Sequence, residues 1–184
     1  MKFTINGNTL VFQYDEEVNQ TICHSSLESW ADFTSENSRE ECEGKNIIFV
    51  LEPEDYNVQS SLAPSEKYEA AIGWLLSNQV KARDTVLTGV MSHIETLRSE
   101  YGIDDEDLNE VVSTDQLGNM IDLSYVHIFP HSKAGAPYLG FEMECNWDPD
   151  NGCGVLIHGL SVVDTGISEA VQHDGAVLDH GGAV

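Results

Sequence analysis

The period of apolar and polar positions changes twice along the chain, and each change predicts a different element. At the start, Phe3 and Ile5, then Leu10 and Phe12, alternate with polar residues around Asn6-Gly7-Asn8. Asn-Gly favours a two-residue turn, so this stretch predicts a hairpin. Asp15 to Asn19 is a polar break. Leu27, Trp30 and Phe33 stand at helical spacing, so Ser26 to Phe33 reads as a short helix or turn, followed by an acidic loop from Thr34 to Lys45. Asn46 to Leu51 is a short, β-branched apolar run and reads as a buried strand.

After Pro64 the apolar positions move to three- and four-residue steps: Tyr68, Ile72, Leu75, Leu76, Val80, Leu87, Val90, Met91, Ile94 and Leu97. That stripe predicts one long helix, with Ser65 at the N-cap, Glu66 in a first turn where the helix dipole favours an anion, and Gly102 as the stop. The pattern is compatible with a break near Arg83. Asp104 to Val112 reads as a second, short helix with an acidic first turn.

Beyond Ser113 the period becomes two. Tyr125 to Phe129, Tyr138 to Cys145, Gly154 to His158 and Leu160 to Val163 read as strands, joined by connections rich in Gly, Pro, Asp and Asn. The expected fold class is α+β: an N-terminal hairpin and one long helix packed on a mainly antiparallel sheet that ends in a C-terminal β-meander. Residues 1–166 are expected to form a single domain, and 167–184 a Gly/Ala-rich tail with little to bury.

Composition changes the picture through charge. The 184 residues carry 32 Asp and Glu against 8 Lys and Arg, a formal net of −24. Asp15 to Asp55 holds twelve acids against Arg39 and Lys45, and Ser99 to the end holds sixteen against Lys133 alone. Such a field repels phosphate backbones and anionic membranes and steers cationic partners towards the chain. Nucleic-acid binding and a membrane location are therefore not expected. No segment approaches the roughly 18 consecutive apolar residues of a membrane span. With no apolar leader in MKFTINGNTL and no paired cysteine motif, the expectation is a cytoplasmic protein with reduced thiols. Oligomeric state is not legible.

Candidate chemistry is sparse. Neither a G-x-S-x-G elbow nor a phosphate-binding glycine loop is present, and no cofactor is implied. Asp148-Pro-Asp150-Asn-Gly152 has something of the alternating oxygens of a calcium loop, but its glycine and terminal Glu are misplaced, and a hairpin turn accounts for it better. Cys145, Cys153 and His158 are the soft ligands a zinc site would need, yet alternation puts Cys145 on the face of Phe141, Met143 and Trp147. A metal site is not expected; if there were one, His127, His131, Cys153 and His158 would have to supply it.

The block Gly140-Phe-Glu, Cys145-Asn-Trp-Asp148 and Gly152-Cys-Gly-Val-Leu-Ile-His158 resembles a family of uncharacterised bacterial domains with the pattern GFExxCxWDxxxGxGVxxH. The likeness runs from about Trp30 to Gly166. It implies a compact α+β domain of a kind often associated with immunity proteins encoded beside toxins, and it carries no established activity. The long acidic loops and the Gly-rich tail depart from that family.

The function expected on these grounds is a non-enzymatic acidic protein-binding module, of bacterial immunity type, neutralising a basic toxin or effector. Its expected contact residues are Asp104, Asp105, Glu106, Asp107, Glu142, Glu144, Asp148 and Asp150, with Tyr138 and Trp147 as aromatic anchors on condition that they are exposed. A metal-assisted hydrolase and a salt-adapted structural domain are the competing readings.

Overall fold

A computed structural model of the chain describes residues 1–33, 47–54, 62–101, 108, 111–172 and 175–182. Strands β1 (Lys2–Ile5) and β2 (Asn8–Val11) form the predicted hairpin. Asn6 and Gly7 both have positive φ (51° and 84°), the backbone that a tight hairpin turn requires. A second hairpin follows at once, from β3 (Gln13–Asp15) to β4 (Gln20–Ser25). The polar break at 15–19 is its turn, in which the Asp15 carboxylate accepts the N–H of Glu17 at 2.9 Å. Apolar alternation is weak on these short strands, so periodicity does not reveal them.

Strand β5 (Ile47–Leu51) confirms the buried apolar run, and a single 3₁₀ turn at Glu28–Trp30 confirms the one expected near Trp30. The long helix, α1 (Ser65–Thr96), starts with Pro64 at the cap position, one residue before the predicted Ser65. It passes Arg83 unbroken. The Arg83 guanidinium donates to Ser29 O at 3.1 Å and to Asp84, so this charged residue is absorbed at the helix surface. Leu97–Tyr101 adds a wider turn; Gly102 and most of the predicted second helix lie outside the described residues. Val80, placed in the apolar stripe by its spacing, is exposed.

The C-terminal strands are β6 (Ile121–Lys133), β7 (Ala136–Cys145), β8 (Cys153–His158) and β9 (Ser161–Gly166). Among the described residues β3 to β9 form one seven-stranded sheet in sequence order, and β1 and β2 pair separately. Every neighbouring pair in the large sheet is antiparallel except β5 and β6, which run parallel. A parallel pair needs a crossover connection, and α1 lies between them in the chain. The fold is the expected α+β arrangement of hairpin, long helix and mainly antiparallel sheet.

The helix packs on one face. Tyr68, Ile72, Leu75, Val86, Val90 and Ile94 join Phe49, Val126, Phe141, Met143 and Val155 in the main core. Contact is closest at Gly89, where an added Cβ would stand 2.6 Å from Val155 Cγ1. The other face is partly covered by the C-terminal segment, through a 3₁₀ turn (Ser168–Val171) and a short helix, α2 (Gly175–Asp179). Val171 and Val177 pack there with Phe129, Tyr138 and Leu156 in a second, smaller cluster. Gly140 on β7 and Gly154 on β8 let this strap lie flush: a Cβ at either would sit 2.8 Å from Val171 O or 3.0 Å from Ile167 O.

Candidate functional site

A bulge in β6 builds the site. The pairing of β6 with β7 shifts between Leu123 and Tyr125, so Ser124 is an extra residue. Ile121 and Leu123 point into the main core before the shift, Val126 and Ile128 after it. The change of parity sends Tyr125 and His127 to the face that carries Glu142. Strict period-two reading cannot anticipate such a slip.

On that face His127 is 2% exposed and stands between two carboxylates. Its Nδ1 lies 2.6 Å from Glu52 Oε1 and its Nε2 lies 3.2 Å from Glu142 Oε2. Burial alone would drive the imidazole towards neutrality, but hydrogen bonds and charge from Glu142 and Glu52 outweigh it and push the pKa up to about 9. The ring is therefore an imidazolium at neutral pH, donating to both acids. Glu52, itself 2% exposed, follows β5 directly, and its N–H donates to Ile128 O at 3.1 Å, so the parallel β5–β6 pairing brings it to His127. Glu52 O accepts from the Tyr68 hydroxyl at 2.6 Å. Desolvation raises the Tyr68 pKa to about 12, so it remains a donor. Gln172 of the strap donates to Glu142 Oε2 at 3.2 Å.

Glu142 also faces outward into a groove of about 480 Å³. Glu144, Asp150 and Glu169 line this groove beside Ser124, Tyr125 and Gln172, and among the described residues no Lys or Arg lines it. Its lining thus combines a carboxylate held by a buried imidazolium with further carboxylates, an aromatic ring, hydroxyls and amides, beside the apolar Met143, Pro149 and Ile167. Such a concave surface fits a cationic, hydrogen-bond-donating group. The Tyr125 ring lies roughly parallel to the His127 ring, with centroids 6.2 Å apart.

Of the expected contact residues, Glu142, Glu144 and Asp150 meet in this groove. Asp148 does not line it; its carboxylate accepts the Asn151 N–H at 3.1 Å and its carbonyl accepts from Gly152 N, as the hairpin-turn reading of this loop requires. Gly152, with φ of 63°, carries the turn. Asp104, Asp105, Glu106 and Asp107 lie outside the described residues. Tyr138 is fully buried, its hydroxyl 2.8 Å from His180 Nδ1, and so does not meet the condition set for an anchor. Trp147 is half-buried against the main core.

The four metal candidates are not brought together by the contacts described. His127 has both nitrogens engaged by Glu52 and Glu142. His131 is buried beside a separate cavity that Trp74 and Pro130 also line. His158 Nε2 donates to Lys133 O at 2.8 Å. Cys153 is buried against Cys145, which together with burial raises its pKa well above the ordinary thiol value. Among the described residues no three or more His, Cys, Asp or Glu form a group able to hold a metal ion. Sequence reasoning misses Glu52, Gln172, Tyr125 and Glu169. The one local signal is an acid, Glu52, at the end of a wholly apolar strand.

Fold and groove together define an α+β domain built around one sheet, with the helix on one face and an acidic recess on the other. The chain belongs to the domain of unknown function family DUF6985, whose model matches residues 42–171. That span includes every strand of the site and ends on Val171, the strap residue seated over Gly140 and Gly154. No curated protein and no solved structure matches the chain. Among the described residues no helix is long and apolar enough to cross a membrane.

Proposed function

We propose that this chain is an acidic protein-binding module, with the groove at Glu142 receiving a cationic side chain of a basic partner. One observation carries the reading: Glu142, Glu144, Asp150 and Glu169 converge on a single recess that, among the described residues, no Lys or Arg lines. The excess of 32 acids over 8 bases acts in the same direction at longer range, raising the encounter rate with a basic surface. A buried His127 fixes the position of Glu142, so the groove is pre-organised and loses little freedom on binding.

The particular form proposed is a bacterial immunity factor that neutralises a basic toxin or effector. A nuclease-like cleft holds phosphates with cations, and an acidic module can occupy such a cleft as a polyanion. Its support is the sequence resemblance and the charge. The test is to co-express the chain with the product of the neighbouring gene and measure complex formation across a salt series. Salt-sensitive association that the Glu144→Lys/Glu169→Lys variant abolishes is the expected result. Association indifferent to both salt and the variant would overturn it.

A further inference from the structure

The strap that covers the second sheet face is fastened at its far end by a cluster of titratable groups that plays no part in the groove. The Tyr138 hydroxyl lies 2.8 Å from His180 Nδ1, and Lys133 Nζ donates to His180 O at 2.6 Å. His158 stands beside them, its ring centroid 5.5 Å from that of His180 and 4.7 Å from that of Tyr138. The chain turns back at Gly181 (φ 87°), and Gly182 N donates to Val177 O at 2.9 Å, closing the end of α2 over Tyr138. Among the described residues a small apolar cluster, separate from the main core, backs this fastening: Phe129, Tyr138, Leu156, Val171 and Val177, with Val163 and Ala176 partly buried against it. A segment with so little buried apolar surface opens at lower free energy than the domain as a whole.

We propose that Tyr138, His158, His180 and Lys133 form a proton-sensitive latch, which holds α2 against the sheet while His180 is neutral and releases it when His180 gains a proton.

Donors and acceptors decide the direction. A neutral His180 offers the Nδ1 lone pair to the Tyr138 hydroxyl. Burial raises the Tyr138 pKa, so that hydroxyl stays a donor throughout. A protonated His180 carries N–H on both nitrogens, and the Tyr138 proton then loses its acceptor. The new charge also faces Lys133 from β6 and His158 from β8; on its own element the neighbouring acid is Asp179. Slight desolvation of this exposed ring, then the charges of Lys133 and His158, hold the His180 pKa below its ordinary value. A lowered folded-state pKa means that docking is strongest above the usual histidine range and weakens as pH falls through the lowered value. His127, with its pKa near 9, is protonated on both sides of that window and does not contribute.

Native-state hydrogen exchange of the full chain reads the latch directly. The amides of His180, Gly181 and Gly182 donate to Ala176, Leu178 and Val177, and exchange when this turn unwinds, which a helix of five residues does readily once it leaves the sheet. Between about pH 7.5 and about pH 5, corrected for the intrinsic rate, their opening is expected to rise on the order of fivefold, the scale of one hydrogen bond. His180→Gln keeps an acceptor for Tyr138 but cannot titrate, and is expected to show no acid response. Tyr138→Phe is expected to open more readily at both pH values, with a smaller acid response, because Lys133 and His158 still face the new charge. Equal opening of the native chain at both pH values overturns the latch. So does an acid response that survives undiminished in His180→Gln or in Tyr138→Phe.

Discussion

His127 and Glu52, 75 residues apart in sequence, meet at 2.6 Å with both side chains 2% exposed, because the parallel pairing of β5 and β6 sets Leu51 opposite Ile128. A buried ion pair is stable only while both members are charged, so this contact ties the fold to pH. The His127 pKa is raised from 6.5 to about 9, so its contribution is fully present below about pH 6.5 and is lost as pH rises through about 9. Unfolding free energy is expected to fall by about 3 kcal/mol across that window, since each tenfold change in proton affinity is worth about 1.4 kcal/mol. Urea denaturation at intervals of pH checks it. A flat profile between pH 6.5 and 9 would contradict the assignment.

Removing one partner leaves the other buried and uncompensated. His127→Ala is expected to destabilise the chain by about 3–5 kcal/mol and to abolish the alkaline loss of stability. Replacing both members with apolar residues, as in Glu52→Leu/His127→Leu, is expected to recover much of that loss, since a buried pair contributes little over good packing. Denaturant midpoints of the three proteins decide it. A double variant as unstable as the single one would show that the pair has a role beyond mutual neutralisation.

Two glycines of α1 make a matched comparison. A Cβ at Gly89 meets Val155 at 2.6 Å, whereas one at Gly73 meets only Ile5 Cγ2 at 3.7 Å, an ordinary contact. Val155 is β-branched and cannot swing away, so Gly89→Ala is expected to destabilise by about 1–3 kcal/mol. Gly73→Ala is expected to stabilise by up to about 1 kcal/mol through helix propensity. Thermal unfolding of the two variants, expected to shift in opposite directions, measures how tightly helix and sheet approach.

Gly140→Ala tests the strap. Its Cβ would lie 2.8 Å from a backbone oxygen, Val171 O, and 3.2 Å from His127 Cβ. The expected outcome is a strap lifted from the sheet, seen as faster proteolysis within residues 168–182 while α1 keeps its exchange protection. Unchanged proteolysis would show that strap and strand have room to spare.

What is legible in the sequence follows from which contacts are local. The hairpin at Asn6-Gly7, the apolar stripe of α1 and the turn at Asp148–Gly152 are each set by neighbours in the chain, and all can be read from it. The parallel β5–β6 pairing, the bulge at Ser124 and the seating of Val171 on Gly140 depend on residues far apart, and none leaves a periodic trace. The site divides in the same way. Glu142, Glu144 and Asp150 are legible as a local acidic cluster, while Glu52, Glu169 and Gln172 reach it only through the folded sheet and strap. The Gly-rich tail is too poor in apolar residues to suggest docking, yet Val171 and Val177 are both fully buried, because glycines on the strands let the backbone come close.

Cation binding focused on the groove at Glu142, and not spread over an acidic surface, is the central claim. Its most direct test is a titration of the ¹⁵N-labelled full chain with a short arginine peptide, followed by amide chemical shifts from about 50 mM to about 500 mM salt. Focused binding predicts that the largest shifts fall on Ser124, Tyr125, Glu142, Glu144, Asp150 and Glu169, shrink as salt rises, and vanish in the Glu144→Lys/Glu169→Lys variant. Shifts distributed across all acidic segments, or unaltered in that variant, would contradict it.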